Sequence, residues 1–161
     1  MSTSGEEAAR DAYWRMYKEH CDHLRHHEVQ RSTVASSMIG ICGVLLSVAT
    51  FDKAITAVDV PLFLMIIALG VFGGLFTTKQ WERSALHMER ARAYRDAVDG
   101  TLVGNPIKQL KRLADQKQKA NFQRLSKLRI NKFWMVLYVF VCVTGVTLTA
   151  LAIWWPIEPA P

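Results

Sequence analysis

The apolar positions of this chain fall in long unbroken blocks. Residues 32–51, 60–78 and 133–157 contain no Asp, Glu, Lys, Arg or His and run for 20, 19 and 25 residues. An α-helix rises about 1.5 Å per residue, so about 20 apolar residues cross the ~30 Å hydrocarbon core of a bilayer. The direct reading is three transmembrane helices, over 32–51, 60–78 and 133–155. A two-span reading leaves 133–155 unexplained. Outside the blocks the pattern becomes helical and polar. No Pro or Gly interrupts residues 6–31, and Ser4 is placed to cap a helix with Glu6 and Glu7 in its first turn. One helix is therefore expected from about residue 5 through the first span to about Phe51. Residues 79–99 again lack Pro and Gly, with Trp81, Ala85, Met88, Ala91 and Val98 at helical spacing. Gly100 and Gly104 end that helix, and Asn105 is the expected N-cap of the next, with Pro106 in its first turn. This next helix is expected to run from 106 to 132. Its apolar stripe, Ile107, Leu110, Leu113 and Ala114, breaks at Lys117 and resumes at Leu125 and Leu128.

The expected fold is thus an all-α integral membrane protein, a single membrane domain over 1–161. Three long transmembrane helices extend into a cytoplasmic helical bundle. The parts are a cytoplasmic helix 5–31, a first span 32–51, an external link 52–59, a second span 60–78, a cytoplasmic helical hairpin 79–132, a third span 133–155 and an external tail 156–161. Charge sets the orientation. Residues 1–31 carry five Lys/Arg and six Asp/Glu, and residues 79–132 carry fourteen Lys/Arg and five Asp/Glu. Together these two segments hold 19 of the 20 basic residues, so both belong on the cytoplasmic side and the N-terminus is inside. Trp134, Tyr138, Trp154 and Trp155 at the ends of the third span, and Trp81 below the second, suit the membrane interface. No short apolar stretch follows a basic start, so no cleaved signal peptide is expected.

The same charge count changes the reading of composition. A mean hydropathy of +0.08 and a net charge of +6 describe neither a soluble domain nor a nucleic-acid binder, because they average two populations. The basic segment 106–132 has Phe122 as its only aromatic, and positive-inside topology explains its charge more cheaply than nucleic acid does. Packing in the bundle is the expected fate of its apolar stripe, and lying along an anionic leaflet is the alternative.

Inside the spans there is no ionisable side chain, which argues against a pump or coupled transporter. Small residues stand there instead: Ser36, Ser37, Gly40, Gly43, Ser47 and Thr50 in the first span, Gly70, Gly73 and Gly74 in the second, Gly145 and Thr149 in the third. Small side chains let helix backbones approach in lipid. Packing within one chain accounts for some of them. Ser36, Ser37, Gly40, Gly43, Ser47, Gly70 and Gly74 are the candidate pore-lining or subunit-facing residues.

His20, His23 and His27 share one helix face, with His26 alongside. Such a face is ordinarily just a polar surface below the membrane. It also has the spacing to bind a metal or sense pH, and His87 is the residue of the second helix that would approach it. Arg15 and His20, an R-x4-H spacing, resemble the motif of all-helical HEPN-type ribonucleases, so a membrane-tethered ribonuclease is one alternative. Cys21, Cys42 and Cys142 form no disulfide or zinc pattern, and no phosphate loop or hydrolase triad is present. No enzyme activity and no cofactor are expected.

The stretch Lys79-Gln-Trp81-Glu82-Arg83-Ser-Ala-Leu-His87-Met-Glu-Arg90-Ala-Arg92-Ala-Tyr94-Arg95, following two close spans, resembles SLATT-type proteins. In that family two membrane helices lead into a cytoplasmic helix of similar character. The resemblance covers residues 32–98. It implies a membrane-disrupting or pore-forming effector of bacterial conflict and anti-phage systems, often switched on by a nucleotide signal. The third span and the lack of a sensor domain depart from that pattern, so no ligand-binding residues carry over. The expected function is a homo-oligomeric effector of the bacterial inner membrane, with lipid as its surroundings and a cytoplasmic protein or nucleotide as its trigger. Arg83, His87, Arg90, Tyr94, Lys111 and Arg112 are the candidate surface for that signal. A non-conducting anchor that recruits a soluble partner is the other alternative.

Overall fold

The computed structural model describes residues 3–123 and 130–157. It is 89% helix, with no strand among the described residues. Helix α1 covers Thr3–Ala49, α2 Val60–Gly100, α3 Pro106–Asn121 and α4 Ile130–Trp154, and one 3₁₀ turn, Ala57–Asp59, precedes α2. At 47 and 41 residues, α1 and α2 are about 70 and 60 Å long, roughly twice the thickness of a hydrocarbon core. Helices α1, α2 and α4 are each long and apolar enough to cross a membrane.

The chain forms two compact units, Met1–Val29 with Trp81–Arg129 and Gln30–Gln80 with Ile130–Pro161. In the second, apolar unit, Phe63 and Ile66 of α2 pack with Cys42 and Ala49 of α1 and Ala152 of α4. A smaller cluster joins Ala35 and Met38 to Tyr138. The buried positions of α4, Tyr138, Gly145 and Ala152, stand seven apart, so a single stripe of that helix turns inward. Arg31 is buried, its guanidinium carbon 5.6 Å from the Trp134 ring. The link between α1 and α2 is a compact turn. Lys53 adopts φ 59°, the Asp52 carboxylate accepts the Ala54 N–H at 3.1 Å, and the Asp59 carboxylate accepts the Thr56 N–H at 2.9 Å. Ile55 and Ile157 exchange two backbone hydrogen bonds of 2.8 and 2.9 Å, tying the link to the segment that follows α4.

In the first, polar unit, α1 and α2 run antiparallel: Tyr13 meets Tyr94, whereas His27, further along α1, meets His87. The inward positions of α2, Ser84, His87, Ala91, Tyr94 and Val98, alternate spacings of three and four, the seam of a coiled coil. At the end of α2 the structure departs from the expected cap. Asn105 does precede Pro106, but at φ 51° it lies in the left-handed region and its side chain makes no cap bond. The carboxylate of buried Asp99 does that work, accepting the N–H groups of Ile107 at 2.8 Å and Lys108 at 3.0 Å. A negative charge on the two leading amides satisfies them and also complements the helix dipole.

The helix expected over 106–132 ends at Asn121, and Leu125 and Leu128, where its stripe was to resume, lie outside the described residues, as do Glu158 and the rest of the tail. Nothing in α3 is buried; Leu110 and Leu113 are 67% and 58% exposed. Among the described residues of this unit α1 and α2 form a two-helix seam, while Leu110 and Leu113 of α3 stay exposed and Ile107 is half-buried. Removing the acceptor with Asp99→Ala should cost roughly 1–3 kcal/mol locally. Hydrogen exchange at the Ile107 and Lys108 amides should then speed up about 5- to 150-fold, with Asp99→Asn falling in between.

Candidate functional site

Two features of the described residues stand apart from ordinary packing, one in each unit. In the polar unit, four imidazoles meet. His20 and His27 are inward positions of α1, His23 lies at the exposed edge of the same face, and His87 is the facing position of α2. The ring of His87 lies 5.3, 4.8 and 5.4 Å from those of His20, His23 and His27. The Nδ1 atoms of His20 and His87 are 3.1 Å apart. At that distance one nitrogen donates and the other accepts, so both cannot carry a proton. His20 is only 6% exposed and its other side stacks on Tyr94, ring centroids 5.5 Å apart. Burial, and then the neighbouring His23, His20, His27 and Arg90, hold the His87 imidazole below its ordinary pKa. On α1, the Cys21 thiol hydrogen-bonds Tyr17 and, with burial, pushes its phenol above its ordinary value. Among the described residues no three His, Cys, Asp or Glu groups are placed to hold a metal ion together.

Of the residues expected to form a signal surface, His87 and Tyr94 are thus turned into the seam. Arg83, Arg90, Lys111 and Arg112 remain exposed, with Lys111 3.3 Å from Asp115. Arg15 and His20 part company. Arg15 lines an exposed groove with Lys18, Glu19, Asp22, His23 and His26, while His20 is buried on the other side of the helix.

In the apolar unit the small residues sort into two groups. A Cβ added at Gly70 would come 2.5 Å from the Cys142 sulfur, and one at Gly145 2.6 Å from Ile67. At Gly73 it would strike the Tyr138 ring. These three glycines set the close approach of α2 and α4. Gly70 is consequently taken up inside the chain rather than on an outer face. Gly40, Gly43 and Gly74 meet nothing within 4 Å, and Ser36, Ser37 and Ser47 are exposed. The Ser47 hydroxyl bonds back to the Gly43 carbonyl at 2.9 Å, so it presents little unsatisfied polarity to its surroundings. The result is an open, small-residue face on α1, shaped as a shallow groove by Gly40, Gly43, Val44, Ser47, Val48 and Phe51.

Sequence reasoning placed the three α1 histidines on one face but left the approach of His87 open; the three-four spacing shared by His87, Ala91, Tyr94 and Val98 carried that information. It missed Asp99, whose role depends on a turn that brings α3 back against its carboxylate. Comparison with protein-family models, with curated proteins and with solved structures finds no match.

The sorting of the glycines has a direct consequence. Gly73→Ala should destabilise the chain by roughly 1–3 kcal/mol through overpacking against Tyr138. Gly43→Ala should leave monomer stability within about 0.5 kcal/mol. Unfolding in detergent at a monomer-favouring concentration separates the two.

Proposed function

We propose that this chain is a homo-oligomeric membrane effector that permeabilises the bilayer of a bacterial inner membrane when its cytoplasmic helices receive a signal. The observation that carries this reading is the open face of α1. Three glycines are spent on packing within the chain, whereas the face built from Ser36, Gly40, Gly43 and Ser47 is complete and uncovered. In lipid, which is as apolar as leucine, such a face is where a second helix can come close. The rest of the apolar unit suits hydrocarbon: Val71, Phe72, Leu75, Val136, Phe140 and Val143 all point outward and are at least half exposed. Three thin helices enclose little volume, so a conducting path is built from several copies.

Three spans with the N-terminus in the cytoplasm satisfy the basic-residue distribution. The pairing of Ile55 with Ile157 supports the odd number of spans, since a link and a tail on opposite sides could not exchange backbone bonds. The resemblance of residues 32–98 to SLATT-type proteins supports a role in bacterial defence. A second reading, a non-conducting anchor, draws on α3. Its exposed Leu110 and Leu113, with Lys108, Lys111 and Arg112 on the opposite side, would suit an acidic soluble partner.

Expression in bacteria with a membrane-potential dye tests the effector reading. Wild type should depolarise the membrane under triggering conditions and migrate as a multimer in mild detergent. Gly43→Leu should lose both while keeping the fold and membrane insertion. A chain that is monomeric alone and co-purifies with a stoichiometric soluble partner would establish the anchor instead.

A further inference from the structure

The imidazole cluster has no part in the reading above, and its geometry is unusual for a helix seam. The positions that would hold leucine in a coiled coil hold His20 and His27 on α1 and His87 on α2, with His23 stacked on the side. Imidazoles gathered this closely, two of them sharing a hydrogen bond, have the proton as their most direct chemistry. We propose that His20, His23, His27 and His87 form a proton-sensitive latch: neutral, they hold α1 and α2 of the polar unit together, and protonated, they drive the two helices apart.

The groups that face the cluster favour this response. From α1 come His20, His23 and His27, with Tyr13, Tyr17 and Cys21 nearby; from α2 come His87, Arg90 and Tyr94. Every charged neighbour that acts on His87, namely His23, His20, His27 and Arg90, is a cation or becomes one on protonation. Glu19 is 3.8 Å from His23 Nε2, but both side chains are about half exposed, so it offsets charge on the outer ring and not on the buried pair. The His20–His87 hydrogen bond accepts one proton at most. A second leaves two cationic nitrogens 3.1 Å apart, an arrangement that survives only by separation.

The direction follows from linkage. In the packed seam His87 binds a proton less readily than a free imidazole does. The contact is therefore complete above about pH 6.5, the ordinary histidine value. As pH falls below this, separated helices gain protons that packed ones refuse, and the contact weakens. That the sensed protons are cytoplasmic rests on the orientation proposed above; the latch itself does not, and its test exposes both faces of the membrane to the same buffer.

The full chain in lipid nanodiscs is followed by hydrogen exchange from about pH 7.5 to about pH 5.5, corrected for the intrinsic pH dependence of exchange. Amides of 13–27 and 84–98 should lose protection by tenfold or more, with a midpoint below about 6.5, while those of 35–49 and 63–77 hold theirs. His20→Phe with His87→Phe, which keeps an aromatic ring but cannot be protonated, should abolish most of the loss. If that pair does not fold, His23→Gln serves: it leaves the buried pair in place, removes one nearby charge and should move the midpoint to lower pH. Protection in wild type that is flat across this range overturns the latch, as does an unchanged response in both variants. Depolarisation plays no part in the readout, so failure of the permeation reading leaves this result standing.

Discussion

Three glycines set the distance between α2 and α4, and the apolar unit depends on that distance. At Gly70, Gly73 and Gly145 there is no room for a Cβ. Two helix backbones that approach this closely gain dispersion along their whole contact, and hydrocarbon competes poorly for a surface so well matched. Tyr138 fits over Gly73 for the same reason: the missing side chain is the space its ring occupies. With α4 drawn in at one stripe, its other faces stay outward, as do most faces of α1. The openness of the Gly40 and Gly43 side is thus a consequence of where the close packing was placed. A chain that had used α1 for its tight contact would present a different face to its neighbours.

The polar unit is held differently. Where the apolar unit uses Phe63, Ile66 and Met38, the seam between α1 and α2 uses imidazole and phenol rings. Such a seam gains less from burial per position than an aliphatic one, and its hydrogen bonds are conditional on protonation. Tyr13, Tyr94 and Val98 supply the unconditional part. In the proposed latch, charge on a few of these rings is what loosens the pair.

Much of the architecture is legible in the sequence because the signals are strong and local. Twenty residues without a charge admit few alternatives to a buried helix, and the long Pro-free, Gly-free runs beside them let α1 and α2 continue without a break. Gly104, Asn105 and Pro106 announce the turn before α3. The site is less legible. His20, His23 and His27 share a face by spacing alone, but whether another helix brings a fourth ring depends on the register between α1 and α2, and register is set by the fit of every seam position at once. The extent of α3 was overestimated because helical spacing persists past Asn121, while the backbone leaves the helix at Phe122.

The sequence by itself determined that this is an all-helical chain with three helices fit for a membrane, because the chemistry of a charge-free run is independent of its neighbours. It also determined which residues were small and which could titrate. Only the tertiary structure decided their use. It assigned Gly70, Gly73 and Gly145 to internal packing and left Gly40 and Gly43 open. It set His87 against three histidines of α1 and made Asp99 the cap of a helix that begins seven residues later. Each of these depends on which atoms lie across from a given side chain, and that is a property of packing between elements, not of any one element's pattern.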